Sequence, residues 1–270
     1  MQQTNRYNYI LLRMEHIKTK IEDRILSIFL DRGKSNAIDT LLLKELIVTL
    51  ETAQDNDSVQ GIILIGKENF FSAGLDLITL YNYNEEQISE FWILFMETTT
   101  LLAAFPKPIV AAISGHSPAG GCVLALCCDY RIMAEGNFVI GLNEIPVGLI
   151  VPESIFLLYA FWIGKRLAYQ NLLEGKLLSP VEAKAQGLVD EVVPANVLFN
   201  TATKKIKQIT QLNQSTWQTS KLNFRKEIIL KLRENRDETI QRILEQWWLP
   251  ATRAILKSII ENLASKNTIK

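Results

Sequence analysis

Apolar residues along this chain recur at two different periods. Short runs rich in isoleucine, leucine and phenylalanine at Tyr9–Met14 and Arg24–Leu30 read as strands. Asn36-Ala37-Ile38-Asp39 reads as a turn into a helix capped by Asp39 or Thr40, because Leu42, Leu43, Leu46, Ile47 and Leu50 follow at helical spacing. Gly61–Gly66 is a continuous apolar run between glycines, the pattern of a parallel strand buried on both faces. A helical pattern covers Glu85–Leu102 and breaks at Phe105-Pro106-Lys107-Pro108. A strand at Pro108–Ser114, a short buried helix at Gly120–Cys128, a strand at Tyr130–Ala134 and a short one at Phe138–Ile140 follow. Such alternation predicts an α/β core with right-handed crossovers. Beyond Ser179-Pro180-Val181-Glu182-Ala183 the pattern is helical alone, over Val197–Thr210, Thr216–Asn235 and Asp237–Ala264. The expected organisation is an α/β core over residues 1–196 and a helical region over 197–270.

Composition narrows the class. Hydrophobic residues make up 48% of the 270, enough for a sizeable core. Basic and acidic side chains both number 29, so no net field points to nucleic acid or an anionic membrane as partner. Cys122, Cys127 and Cys128 match neither a zinc-ligand spacing nor a disulfide framework. They read as reduced, buried thiols of an intracellular protein. His16 and His116 are the only histidines, too few for a histidine-rich metal site. Met1–Arg13 has neither an apolar signal core nor an amphipathic targeting pattern. The expected location is therefore cytoplasmic, with the mitochondrial matrix left open. Pro108–Cys128 carries no acid, lysine or arginine and is long enough to cross a membrane. Gly115, Pro118, Gly120 and Gly121 interrupt it midway, so no membrane span is expected.

Three segments carry candidate chemistry. The strand Gly61–Gly66 feeds Phe71-Ser72-Ala73-Gly74-Leu75-Asp76, and the strand Pro108–Ser114 feeds Ser117-Pro118-Ala119-Gly120-Gly121-Cys122. Strand-to-helix junctions are where α/β sheets build sites, and a helix start at Gly120 offers unpaired N–H groups and a favourable dipole. If the N–H groups of Ala73 and Gly120 converge, they form an oxyanion hole. The third segment is Gly141-Leu142-Asn143-Glu144, a glutamate among apolar neighbours whose burial would raise its pKa toward that of a base working near neutrality. Each turn alone reads as an ordinary strand–helix connection, and Glu144 alone as a surface glutamate. The chemical reading rests on the three together. Val123 on the first turn of the Gly120 helix leaves Glu144 without a carboxylate partner, which favours moving a proton over adding water.

Phe-Ser-Ala-Gly-Leu-Asp-Leu at 71–77, Pro-Ala-Gly-Gly-Cys at 118–122 with Cys128-Asp129-Tyr130-Arg131-Ile132, and Glu182-Ala183 followed by Gly187-Leu188-Val189-Asp190 and Val192-Val193-Pro194 resemble the crotonase superfamily, the enoyl-CoA hydratase/isomerase group. Within it, Gly141–Glu144 and the missing acid at Val123 are most similar to the mitochondrial-type 3,2-trans-enoyl-CoA isomerases. The resemblance implies an α/β spiral of ββα repeats, a helical C-terminal region that makes homotrimers or dimers of trimers, and an acyl-CoA thioester substrate with no separate cofactor. It implies Ala73 and Gly120 as the oxyanion-hole donors, Ser72, Ala73, Gly74, Leu75 and Asp76 as the loop bordering CoA, Glu144 as the base and Asn143 beside it at the acyl chain. Fatty-acid metabolism is the implied setting. Rival readings are an enoyl-CoA hydratase, a dienoyl-CoA isomerase, or a non-catalytic binding module, including one that contacts RNA.

Several residues fit this frame loosely. Glu153 is nine positions beyond Glu144; the resemblance implies that dienoyl-CoA isomerases carry a second acid eight positions on, where this chain has Pro152, and Pro152 and Glu153 read better as a helix start. His116 and Ser114 differ from the residues expected ahead of Pro118, and His116 reads as structural. Gly148–Gly164, with Phe156, Phe161 and Trp162, reads as core or the wall of an acyl tunnel. Trp247 and Trp248 are expected to pack the final helices or a trimer contact. Lys204, Lys205, Lys207, Lys221, Arg225 and Lys226 are expected on solvated helix faces.

Overall fold

The computed structural model describes residues 14–234 and 236–268. The expected strand Tyr9–Met14 lies outside the described residues except for Met14, which is not in a strand. The first pair is β1 (Ile17–Glu22) antiparallel to β2 (Ile25–Leu30). Next comes α1 (Thr40–Asp55), capped by Asp39, whose carboxylate accepts from the Leu42 N–H at 2.9 Å. The chain then repeats a pattern: a strand in one sheet, a short strand in a second sheet, then helix. The first repeat is β3 (Gly61–Ile65), β4 (Asn69–Phe70), α2 (Leu77–Tyr81) and α3 (Glu85–Ala103). The second is β5 (Ile109–Ile113), β6 (Gly115–Pro118) and α4 (Gly120–Cys127). The third is β7 (Tyr130–Ala134), β8 (Ile140–Gly141), α5 (Glu153–Ile163), α6 (Lys165–Glu174) and α7 (Pro180–Ala185). After β9 (Glu191–Val193) the chain is helical: α8 (Leu198–Thr210), α9 (Gln214–Phe224), α10 (Lys226–Arg233), α11 (Arg236–Trp248) and α12 (Pro250–Thr268).

These repeats wind into a spiral. One sheet runs β1-β2-β3-β5-β7-β9 and is parallel from β2 onward; the other runs β4-β6-β8 and is parallel throughout. The crotonase-type α/β architecture expected from the motifs is therefore present, with its helical C-terminal region. Every residue of β3 and β5 is buried, which explains their unbroken apolar runs. One face of this sheet packs on Leu198, Ala202 and Ile206 of α8, and the other on the main core of α1, α3 and α4.

Periodicity missed two kinds of element. β4 has two residues and β6 is Gly-His-Ser-Pro, too short and too polar to show a period of two. The expected helix Thr216–Asn235 is broken at Arg225, and Asp237–Ala264 at Leu249-Pro250. Pro250 occupies the first position of α12, where its missing N–H leaves no hydrogen bond unmade.

Two basic residues expected in solvent are instead buried. The Asp129 carboxylate accepts from Lys221 Nζ at 2.8 Å, lies 3.1 Å from Arg225 Nη2, and accepts from the Ile109 N–H at 2.8 Å. Arg225 also donates to the Cys127 and Cys128 carbonyls at 2.7 and 2.9 Å, closing the C-terminal end of α4. Alongside, fully buried Arg131 pairs with Asp190 and lies 3.6 Å over the Trp162 ring. Trp247 is fully buried edge-on to Trp92, while Trp248 keeps partial exposure. Asp129→Ala would leave two cations buried without their carboxylate. Denaturant unfolding should show a loss of about 3–5 kcal/mol, and an unchanged midpoint would contradict this account of the joint.

Candidate active site

A cavity of about 810 Å³ opens between the second sheet, α3, α4 and the last two helices. Its walls include Arg32, Lys34, Ala73, Leu75 and Asp76 at one end, and Trp92, Phe95, Met96 and Val123 further in. Asn143, Glu144, Val147, Leu149, Ile150, Val151 and Ile155 line another side, and Ile243, Ile259 and Leu263 come from α11 and α12. The Gly148–Gly164 stretch thus supplies cavity wall through its first half.

The two glycine turns meet at the cavity. A Cβ placed on Gly121 would lie 2.5 Å from the Ser72 carbonyl oxygen, and one on Gly74 would lie 3.3 Å from the Gly120 nitrogen. No side chain larger than hydrogen fits between the turns. Ala119, just before α4, holds φ +48° and ψ −122°, a conformation costly for a residue with a side chain. Its N–H donates to the Gly141 carbonyl at 2.8 Å, and its carbonyl accepts from Val123 at 3.0 Å. Both bonds hold the strained turn so that α4 starts at the cavity.

The donors in the first turn differ from the expected set. The Ala73 N–H donates to the Ser35 carbonyl at 2.9 Å, and the Gly74 N–H to the Ser72 hydroxyl at 3.2 Å. Neither is free to meet a ligand. The N–H groups of Leu75 and Gly120 have no acceptor among the described residues, and both residues line the cavity. Ser72 does not reach it. Fully buried, its hydroxyl donates to the Asn36 carbonyl at 2.7 Å and fixes the turn. Asp76 caps α2 through Thr79 and accepts from Arg32 Nη2 at 2.5 Å. Burial opposes its charge, yet the Thr79 hydroxyl and amide and the Arg32 guanidinium hold its pKa below the ordinary value.

Glu144 precedes a 3-10 turn at Ile145–Val147. Its Oε2 is buried with no hydrogen-bond partner, as is Oδ1 of the adjacent Asn143. Burial raises the Glu144 carboxyl to about 7. Val123, the position at which the resemblance places a second acid in hydratases, stands in the cavity wall. Glu153 opens α5 with Pro152 as its N-cap, is exposed, and faces Lys231 at 3.7 Å, so it contributes no second carboxylate to the cavity. His116 sits between the rings of Phe70 and Phe138 and accepts from the Val139 N–H at 3.3 Å; Ser114 donates to the Lys67 carbonyl. Both are structural. Lys207 pairs with Asp23 and Lys205 lies over Tyr130, outside the cavity lining. All three cysteines are free and buried.

The family model described as enoyl-CoA hydratase/isomerase matches residues 20–247. The chain belongs to the enoyl-CoA hydratase/isomerase family. It is 37% identical over 208 residues to mouse mitochondrial enoyl-CoA delta isomerase 1, covering 76% of this chain and 72% of that one. The human counterpart is 35% identical over 211 residues, with coverage of 77% and 70%. The crystal structure of human mitochondrial delta3-delta2-enoyl-CoA isomerase superposes with a TM-score of 0.91 at 30% identity, over 93% of this chain and 99% of that chain. These relatives are isomerases acting on carbon–carbon double bonds. An Escherichia coli 2,3-dehydroadipyl-CoA hydratase is also similar, at 29% identity over 217 residues, with coverage of 78% and 82%. Among the described residues no helix is long and apolar enough to cross a membrane.

Cavity-lining residues that the sequence did not single out are Arg32, Trp92, Phe95, Met96 and the linings from α11 and α12. No local pattern marks them, because only the winding of the chain brings them to the cavity. The carboxyl of Glu144 has a linkage consequence. Its ordinary pKa of 4.5 rises to about 7 in the fold, so the folded state keeps a proton that the unfolded chain loses. Stability on this account falls as pH rises from 4.5 to about 7 and is lowest above that. Glu144→Gln should therefore be more stable than wild type at pH 8 by on the order of 1–3 kcal/mol. The difference should vanish below pH 4.5, as measured by denaturant unfolding at each pH.

Proposed function

We propose that this protein is an enoyl-CoA isomerase that moves the double bond of a 3-enoyl-CoA to the 2-trans position, with Glu144 as its one acid–base group. The observation that carries this reading is the half-buried Glu144 carboxyl, whose Oε2 is buried with no partner, in a cavity whose other acid, Asp76, is tied to Arg32 and Thr79. The C2 protons of a 3-enoyl thioester are acidified by both the carbonyl and the double bond. Glu144 removes one. The resulting dienolate places its negative oxygen against the N–H groups of Leu75 and Gly120, where the α4 dipole also favours it. The protonated carboxyl then returns the proton at C4 and regenerates the base. No cofactor enters this scheme.

Support comes from the pKa near 7, which makes removal and return of the proton comparably easy near neutrality. The apolar facing wall at Val123 disfavours a second group that would position water, and Glu153 faces solvent. Hydratase and dienoyl-isomerase readings each need such a group. The acyl chain would run along Trp92, Phe95 and Met96 toward Ile259 and Leu263. We also keep a trimer as a proposal, with the exposed Phe161, Tyr169 and Leu173 of α5 and α6 as the surface it would cover.

With 3-hexenoyl-CoA, wild type should raise the ultraviolet absorbance of the conjugated enoyl thioester, Glu144→Gln should not, and Glu153→Gln should match wild type. Loss of turnover in Glu153→Gln would favour the dienoyl reading. A finer test addresses the donors. Replacing the Leu75 amide by an ester through its α-hydroxy acid should lower kcat about 100- to 1000-fold. The same change at Ala73, which removes a bond to Ser35 but no donor to the ligand, should act mainly on stability.

A further inference from the structure

The turn that carries Glu144 is closed on itself. The Glu144 carbonyl accepts from the N–H groups of Val147 at 3.1 Å and Leu149 at 2.9 Å, and the Ile145 carbonyl from Gly148 at 3.0 Å. Anything that fixes Gly148 therefore fixes the backbone of the base. What fixes Gly148 comes from the far end of the chain. Its carbonyl accepts from Gln246 Nε2 at 3.1 Å and from the Thr252 hydroxyl at 3.3 Å, and these two side chains bond each other at 3.0 Å. Gln246 lies near the end of α11 and Thr252 in the first turn of α12, so the clamp spans the break at Pro250. Thr252 is almost fully buried.

Packing leaves little slack. Gly148 has φ +79°, and a Cβ there would lie 3.2 Å from Ile255 Cδ1 and 3.7 Å from the Thr252 Cα. On the opposite side, Pro146 fills the space beside Gly175, where a Cβ would meet it at 2.2 Å. The turn is gripped between the α6 end and α12. The Arg253 guanidinium, one residue beyond Thr252, donates to the Tyr81 carbonyl of α2 at 2.8 Å and lies 3.5 Å over the Tyr81 ring. Thus α12 is anchored on the helix that follows the Leu75 turn as well as on the turn that carries the base. The same two C-terminal helices bring Ile243, Ile259 and Leu263 into the cavity.

We propose that Gln246 and Thr252 are positioning residues for Glu144: their shared grip on the Gly148 carbonyl sets where the base stands relative to the substrate carbon. This rests on the isomerase reading of the site. Neither side chain lines the cavity, so neither is given a part in the proton transfer itself. Proton abstraction depends on near-contact geometry, and a displacement of about 1 Å can cost about 100-fold in rate. Binding of an acyl-CoA that has no double bond to move depends on the cavity and the free N–H groups instead.

The test uses the full chain with Thr252→Val, which keeps the shape and removes the hydroxyl, together with Thr252→Ser and Gln246→Leu. Wild type turning over 3-hexenoyl-CoA is the control; if it does not, the isomerase reading fails and the clamp is left without a reaction to position. Given an active wild type, Thr252→Val and Gln246→Leu should lower kcat about 10- to 100-fold. Hexanoyl-CoA affinity should stay within about 2-fold in both variants, and Thr252→Ser should restore kcat. A purely structural role predicts the opposite split: a lower melting temperature with kcat per folded site at the wild-type value. That outcome, or a parallel loss of hexanoyl-CoA binding, would overturn the proposal. Should Thr252→Val not fold, Gln246→Leu carries the same comparison by itself.

Discussion

Much of this molecule depends on an eight-residue helix being fixed at both ends. At its start α4 presses against the Ser72 carbonyl through Gly121, so closely that the Gly74–Leu75 peptide and the Gly120 N–H share one corner of the cavity. At its finish the carbonyls of Cys127 and Cys128, which have no partners inside the helix, receive the Arg225 guanidinium. A cation at that end also suits the helix dipole. Between the ends every residue of α4 is buried, so the helix has nowhere to slide. The strain at Ala119 is sustained because both neighbouring segments are held independently.

The two polar ends of the site have opposite electrical characters. At one, the unpaired N–H groups and the α4 dipole provide positive potential without a mobile charge. At the other, Glu144 is an acid kept weak by lack of water. The cavity between them is apolar, so a charge developing on a ligand oxygen meets little competing solvent. Arg32, which stands near the same corner, is neutralised by Asp39 and Asp76 and adds structure more than net field. On the proposed isomerase reading, this disposition suits an anion that forms and disappears within one catalytic cycle.

Legibility in the sequence followed locality. The Asp39 cap, the buried β3 and β5, and the start of α4 were readable because each depends on neighbours within a few residues. Glu144 was readable because an acid among apolar residues is unusual, and its burial bears on its pKa as that argument requires. Ala73 was misassigned as a donor because sequence cannot say where an N–H points. Its bond to Ser35 exists only once the loop after β2 lies against the turn, leaving Leu75 free instead. Lys221 and Arg225 read as solvated positions because Lys221 sits in the largely polar α9 and Arg225 just beyond its end, and Asp129, their partner, is 92 residues from Lys221. The break at Pro250 is legible, because a proline has no N–H to continue α11 and suits the first position of a new helix.

The Gly148 carbonyl meets Gln246 and Thr252 across 98 and 104 residues of chain. On a ribosome making about 5–20 residues per second, the segment bearing Glu144 waits roughly 5–20 s before its anchor has been synthesised. Until α11 and α12 exist, a side of the cavity is missing, and apolar walls such as Trp92 and Met96 lack the cover those helices give. The last helices thus act for the cavity as a cover as well as a tail.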